Sequence, residues 1–375
     1  MTRQTYEIES LTEFDAHIAG TDRLNGWFVQ SVDLSGRSKV LAAKDPAGAA
    51  FLGCTFAKGV EGQLRGRGAL IFPALPDLPF NPYRAELYTA EELYGDGAYA
   101  DGVDAKVYAW TREAQLRHDL ERSLARALHD HAITDALDEA TADLDADQVI
   151  GVMGGHAVER GSATYRDAAV LGLTLARSGR TVLTGGGPGA MEAANLGAWF
   201  SGLPESGGAG NQTALDQAIA VLAQVASFRP SIDAWAEVAM EVRRRWPVGG
   251  GQSGRSIGIP TWFYGHEPPN AFGTVIAKYF TNALREDTLL ARCRGGIIYL
   301  PGAAGTVQEI SQAVTENYYA AHDDNVAPMV LVGRRHWTET LPAWPLLQSL
   351  GAGRTMGTRI HLVDEVSEAS ALLLS

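Results

Sequence analysis

Thr184-Gly-Gly-Gly-Pro-Gly-Ala-Met191 and Leu300-Pro-Gly-Ala-Ala-Gly-Thr-Val-Gln-Glu309 each follow a short apolar run, and each opens a helical pattern. The spacing predicts two strand-to-helix turns at one edge of a single sheet. Glycine lets the backbone turn sharply and come close to a ligand, and the unpaired N–H groups of the helix that follows favour an anion. The pair points to a phosphorylated small molecule, with a nucleotide as the expected class.

Around these turns the chain alternates strand and helix from residue 147 onward. Expected strands are Gln148–Met153, Thr181–Thr184, Ser256–Pro260, Gly296–Leu300, Ala327–Val332 and Arg359–Val363. Short continuous apolar strands separated by helical crossovers predict a Rossmann-like, doubly wound parallel sheet, whose ligands bind beyond the carboxyl ends of the strands. The stretch from Met191 to Ser256 is too long for one crossover, so residues 201–254 are expected to be a helical insertion, with capping of the site or an interface both open as its role. Trp235 and Trp246 are assigned to the insertion's own core, and the Trp262-Phe-Tyr264 cluster to packing against it.

The 375 residues exceed one ordinary domain. Residues 1–110 carry short apolar stretches broken by Gly, Asp, Pro and Lys, which predicts a smaller strand-rich or mixed domain. Residues 111–146 form a helical connector in which Leu116, Leu120, Leu124 and Leu128 make the apolar stripe, with a break near Ile133. No internal repeat of the solenoid kind is apparent.

With 46% hydrophobic and 20% charged residues the chain can bury a substantial core, and its formal charge of −13 argues against a nucleic-acid partner. The two cysteines, Cys54 and Cys293, lie far apart and fit neither a disulfide framework nor a structural zinc site. No signal-peptide core and no long uncharged apolar stretch occur, so a cytoplasmic protein without a membrane partner is expected.

Gly185-Gly-Gly187-Pro-Gly-Ala190 satisfies the dinucleotide pattern G-x-G-x-x-A, with Glu205 at the distance of a ribose carboxylate. The context disagrees: Glu205 sits in a loop sequence, and the turn follows the second strand of the series. A pyridoxal phosphate enzyme would need a lysine, and only Lys278 falls in the sheet domain, on an expected helix. A serine hydrolase turn, G-x-S-x-G, is absent.

Taken together, Gly154-Gly155 after the first strand, Tyr165-Arg-Asp-Ala-Ala169 on the next helix, Gly185-Gly-Gly-Pro-Gly-Ala-Met191 and Pro301-Gly-Ala-Ala-Gly-Thr-Val-Gln-Glu309 resemble the LOG ("lonely guy") proteins over residues 147–375. That resemblance implies a cytokinin-activating phosphoribohydrolase or a broader nucleoside 5'-monophosphate nucleosidase. Such an enzyme releases a free base and ribose 5-phosphate, uses no metal or cofactor, and works as a homodimer or higher homo-oligomer. It implies Glu309 as the motif glutamate and Arg285 as the arginine on the helix before. Gly154, Gly155, Gly186, Gly187, Met191, Gly302, Ala303, Gly305 and Thr306 would bind the nucleotide and its phosphate. Ala303 departs from the family's P-G-G-x-G-T-x-x-E motif, which has a second glycine there, and the spacing from Arg285 to Glu309 is one residue longer than in short members.

The chemistry suits these residues independently. Cleaving an N-glycosidic bond builds positive charge on the ribose, and a nearby carboxylate stabilises that charge and orients or deprotonates water. Plainer readings stand beside it. Thr306-Val-Gln-Glu309 is also a capping box, in which Glu309 merely bonds the helix start. Arg285 beside Glu286 and Asp287 reads equally as a solvated helix residue, and His156 as structural or as facing the pocket. A non-catalytic nucleotide sensor would need the glycines but not the Glu309 carboxylate.

Overall fold

The computed structural model describes residues 6–113, 119–203, 210–248, 254–263 and 267–374. Leu116, Glu205 and Tyr264 lie outside them. Two compact units emerge: Met1–Leu87 with Glu113–Glu139, and Tyr88–Arg112 with Ala140–Ser375.

In the first unit, β1 (Tyr6–Ile8), α1 (Leu11–Ile18), β2 (Trp27–Gln30), α2 (Ser38–Ala43), β3 (Ala50–Leu52), α3 (Val60–Gly66) and β4 (Leu70–Phe72) follow one another. The four strands are parallel and lie in chain order. Phe28 pairs with Ala50 and Ala50 with Leu70, spacings of 22 and 20 residues. This is a short solenoid, so the reading that no internal repeat exists is corrected. Its repeat is carried by geometry and not by a motif. Gly26, Gly48 and Gly68 each precede a strand with φ of 86°, 79° and 92°, and the N–H of each of the first two donates to the carbonyl of the next. Ile8, Val29 and Phe51 from the strands, and Phe14, Leu41 and Leu64 from the helices, fill one core.

Two further helices, α4 (Ala90–Tyr94) and α5 (Val103–Arg112), belong to the second unit, and α6 (Leu120–Thr141) falls largely in the first. The boundary therefore differs from the expected cut at residue 110. Backbone hydrogen bonds in both directions join Tyr88 to Ile276, a pairing across nearly two hundred residues that local patterning cannot reveal. The expected break near Ile133 is absent, and α6 buries Ala125, His129, Ile133, Ala136 and Leu137. Leu120 and Leu124 are 70% and 52% exposed, so the leucine stripe is not the buried face.

The second unit continues through β5 (Val149–Met153), α7 (Ala163–Arg177), β6 (Thr181–Thr184), α8 (Ala190–Ser201), α9 (Gly210–Leu222), α10 (Ile232–Arg245), β7 (Ser256–Gly258), β8 (Val275–Ile276), α11 (Asn282–Arg292), β9 (Gly296–Tyr299), α12 (Ala304–Tyr318), β10 (Met329–Val332), α13 (Ala343–Gly351), β11 (Ile360–Val363) and α14 (Val366–Leu374). All six expected strands are present; β8, only two residues long, was not expected. The sheet is wholly parallel in the order β11-β10-β9-β5-β6-β7-β8. From β5 the chain first builds outward through β6 and β7, then returns to β9 and builds the other way. Right-handed crossovers in opposite directions place helices on both faces, and a switch point opens between β5 and β9.

α7 and α8 pack backbone to backbone. A Cβ on Gly172 would lie 2.0 Å from the Ala194 carbonyl oxygen, and one on Gly197 would lie 1.9 Å from that of Ala169. The insertion helices α9 and α10 are tied to this pair by buried Arg160. Its Nε donates to Glu192 at 2.9 Å, its Nη1 to the Trp235 carbonyl at 3.0 Å, and its guanidinium stacks on the Trp235 ring. Trp246 packs on Phe200 of α8. Trp262 turns away from the insertion: it stacks on Phe280 and donates through Nε1 to Asp104 of α5. Lys278 is not helical; it is buried in an ion pair with the same Asp104. Among the described residues no helix is long and apolar enough to cross a membrane.

Candidate functional site

A cavity of about 670 Å³ opens where the switch point predicts, over the carboxyl ends of β5, β6, β7 and β9. Gly154, Gly155, Gly187, Met191, Arg285, Gly302, Ala303, Gly305, Thr306 and Glu309 all line it. The ends of β5 and β9 are stitched together beneath it, with the Gly155 N–H donating to the Pro301 carbonyl and the Leu300 N–H to that of Met153.

Gly186 is the exception among the expected residues: it does not line the cavity. With φ of 68°, its missing Cβ would lie 2.6 Å from Pro260, so it serves the close approach of the segment after β7. Gly185 faces the cavity instead. A Cβ there would lie 3.5 Å from Arg285 Nη1 and 3.8 Å from Glu309 Oε1, which makes the bare backbone the floor under that pair.

Both glycine turns open onto a helix without a side-chain cap, α8 at Gly189 and α12 at Ala303. At the first, the Ala190 N–H is already used by the Gly155 carbonyl, and the Gly186 N–H by the Thr184 hydroxyl. At the second, α12 starts at Ala304 with Ala303 as its N-cap and no side-chain hydrogen bond closing it. The N–H groups of the first turn point along the helix axis into the cavity, where they and the helix dipole favour an anion. Ala303 has φ of −122°, outside the left-handed region in which the backbone would require glycine. Gly302 is different: a Cβ there would lie 2.1 Å from Thr306 Oγ1.

This helix start also settles the capping-box reading. Thr306 lies inside α12, so it cannot be the cap, and the Glu309 carboxylate is not consumed by one. Gly305 and Glu309 are four residues apart and share one helix face. The Glu309 Cα therefore stands about 7 Å along the axis from the helix start, and its side chain leans back toward that start. Glu309 is 6% exposed and Arg285 7%. Arg285 Nη1 is 3.7 Å from Glu309 Oε1 and 3.1 Å from Glu286 Oε2. Burial, reinforced by the Glu286 charge and opposed by Arg285, pushes the Glu309 carboxyl up to about 8. Burial also raises Glu286, with Arg285 and Asn282 opposing.

Sequence reading missed Glu286, Thr261, Glu267 and His336 as lining residues, and it left His156 undecided. His156 Nδ1 lies 3.4 Å from Glu267 Oε1 at the rim. His336 comes from the segment after β10, and its buried Nε2 has no hydrogen-bond partner. A polar residue after each strand was the available signal, since such positions reach the carboxyl edge of a parallel sheet. Capping by the insertion is not seen: among the described residues none of it lines this cavity. Phe228, Arg229 and Trp235 of the insertion line a smaller chamber of about 260 Å³, which shares His156, Ala157 and Val158 with the larger one. No cluster of side chains suited to a metal ion occurs among the described residues.

Fold and site together define a Rossmann-like parallel α/β protein with an open helix N-terminus and a buried Arg–Glu pair in one cavity. Residues 147–204, spanning β5 to the end of α8, match the sequence model of the SLOG cluster4 family. No curated protein sequence matches the chain. Similar solved structures include the molybdenum cofactor carrier protein from Chlamydomonas reinhardtii, 18% identical over 60% of this chain and 98% of that chain, with a TM-score of 0.35. Another is the molybdenum cofactor binding protein from the phototrophic bacterium Rippkaea orientalis, 18% identical over 60% of this chain and 94% of that chain, with a TM-score of 0.33.

Proposed function

We propose that the chain hydrolyses the N-glycosidic bond of a nucleoside 5'-monophosphate, releasing the free base and ribose 5-phosphate. The observation that carries this reading is the placement of Glu309: a buried carboxyl of raised pKa that lines the same cavity as the open N-terminus of its own helix. A 5'-phosphate on the N–H groups of Ala304, Gly305 and Thr306 brings the ribose over Gly185 and towards Glu309. Water then attacks C1' and gives its proton to Glu309. The bond from C1' to the base nitrogen breaks, and its electron pair leaves with the base, which takes up a proton from solvent while Glu309 returns the water's proton to solvent. A base whose pKa is close to the working pH suits this transfer. Arg285 contributes charge to ribose or phosphate oxygens, or to the departing base.

No metal or cofactor is required in this scheme, and the substrate class includes cytokinin-type modified AMP. The protein would work in the cytoplasm as a homo-oligomer, as its resemblance to LOG proteins implies; light scattering of the purified chain tests the assembly. The reaction is tested by incubating the protein with AMP, GMP, CMP, UMP and IMP and separating the products by chromatography. Release of free base and ribose 5-phosphate from at least one nucleotide is expected. Tight binding of nucleotides without any release would favour the sensor reading.

A further inference from the structure

Arg285 and Glu286 are consecutive on α11, and both are buried against the cavity, Glu286 to 1% exposure. Both fall on the buried stripe of α11 with Asn282, Leu289 and Leu290, where apolar side chains would be the ordinary occupants. The two carboxylates share the guanidinium unequally. Nη1 makes a hydrogen bond of 3.1 Å to Glu286, whereas Glu309 at 3.7 Å is beyond hydrogen-bond distance. Arg285 Nε is buried without a partner.

A buried guanidinium with one carboxylate in reach closes on it in a paired, bidentate contact, because neither charge has water to fall back on. If Glu286 were missing, that partner would be Glu309. We propose that Glu286 is a positioning residue: by holding the Arg285 guanidinium, it keeps Arg285 from closing on Glu309 and leaves the Glu309 carboxyl free to face the ligand. This rests on the reading of Glu309 as the working carboxyl.

The charged and titratable neighbours agree with this assignment. Glu309 is faced from α11 by Glu286, which raises it, and by Arg285, which lowers it. Tyr299 of β9 and Cys293 at the end of α11 are themselves pushed up, first by burial and then by the Glu309 charge. The β6–α8 turn contributes only Gly185 and Met191. Glu286 is faced by Arg285, Asn282 and the exposed Asp287.

The test reads the ionisation of Glu309 directly in the full chain, by carbon-13 NMR of carboxyl-labelled glutamate, with Glu309→Gln assigning the resonance. Glu286→Gln should move the Glu309 midpoint down by about one pH unit, tenfold in its ionisation constant. Glu286→Asp keeps the charge but shortens the reach, so Arg285 is released and the midpoint should fall there too. Asp287→Asn, which removes a nearby charge that does not touch Arg285, should leave it in place. An unchanged midpoint in Glu286→Asp would show that Glu286 acts only through its field, and would overturn the positioning role. A midpoint unmoved or raised in Glu286→Gln would do the same. Because the readout needs no turnover, absence of nucleotide hydrolysis would overturn the proposed reaction without touching this result.

Discussion

Ala303 and Glu309 show how one residue's conformation decides what a motif means. Alanine in place of a motif glycine looks damaging in the sequence, but φ at residue 303 is negative, so the backbone conformation does not demand glycine there. Glu309 within T-x-x-E is ambiguous until the helix start is known, and that start lies at Ala304. Its raised pKa also has a stability consequence. A carboxyl titrating near 8 when folded and at its ordinary 4.5 when unfolded binds more protons in the folded state between those values. Stability from this group is therefore greatest at low pH and is lost as pH rises through that window. Glu309→Gln should remove the loss. Its melting temperature should exceed that of the wild type by several degrees at pH 9, and the difference should fade towards pH 5 in scanning calorimetry. A variant less stable than the wild type at pH 9 would contradict the burial argument. Glu286 was not legible as a site residue, because a carboxylate next to an arginine on a helix looks the same whether solvated or buried.

At the scale of elements, the expected strands of the sheet and the two glycine turns were readable because apolar runs and glycine punctuation are local signals. The hydrogen bonding of the turns was not. At the first, the Ala190 and Gly186 N–H groups are taken by the Gly155 carbonyl and the Thr184 hydroxyl, while neither α8 nor α12 has a side-chain cap. Gly172 and Gly197 carry no such local signal, yet they let α7 and α8 touch through their backbones. Gly197→Ala should cost at least about 2 kcal/mol, since neither backbone can move without disturbing β5 and β6. Chemical denaturation followed by tryptophan fluorescence measures this; a cost below about 0.5 kcal/mol would mean that the helices separate easily.

At the scale of the whole molecule, the second unit was legible from residue 147 onward, and the first only as a smaller strand-rich or mixed domain, without its repeat. Three solenoid turns of unlike sequence share little beyond Gly26, Gly48 and Gly68 at positive φ, and a repeat held by backbone conformation leaves almost no compositional trace. Gly48→Ala should destabilise this unit by about 1–2 kcal/mol, the cost of forcing an L-residue into that region. Hydrogen exchange should quicken in β2, β3 and β4 and stay unchanged in β5, β6 and β9. Uniform exchange would argue that φ of 79° at residue 48 is not structurally required. The account as a whole turns on whether a buried carboxyl next to an open helix start breaks a glycosidic bond. The most direct measurement compares wild type and Glu309→Gln side by side on the best substrate of the nucleotide panel, with product release and nucleotide affinity determined for both. The account predicts release of base and ribose 5-phosphate by the wild type, a fall of at least about a thousandfold in the variant, and similar nucleotide affinity in the two proteins. Equal turnover by both proteins would contradict it.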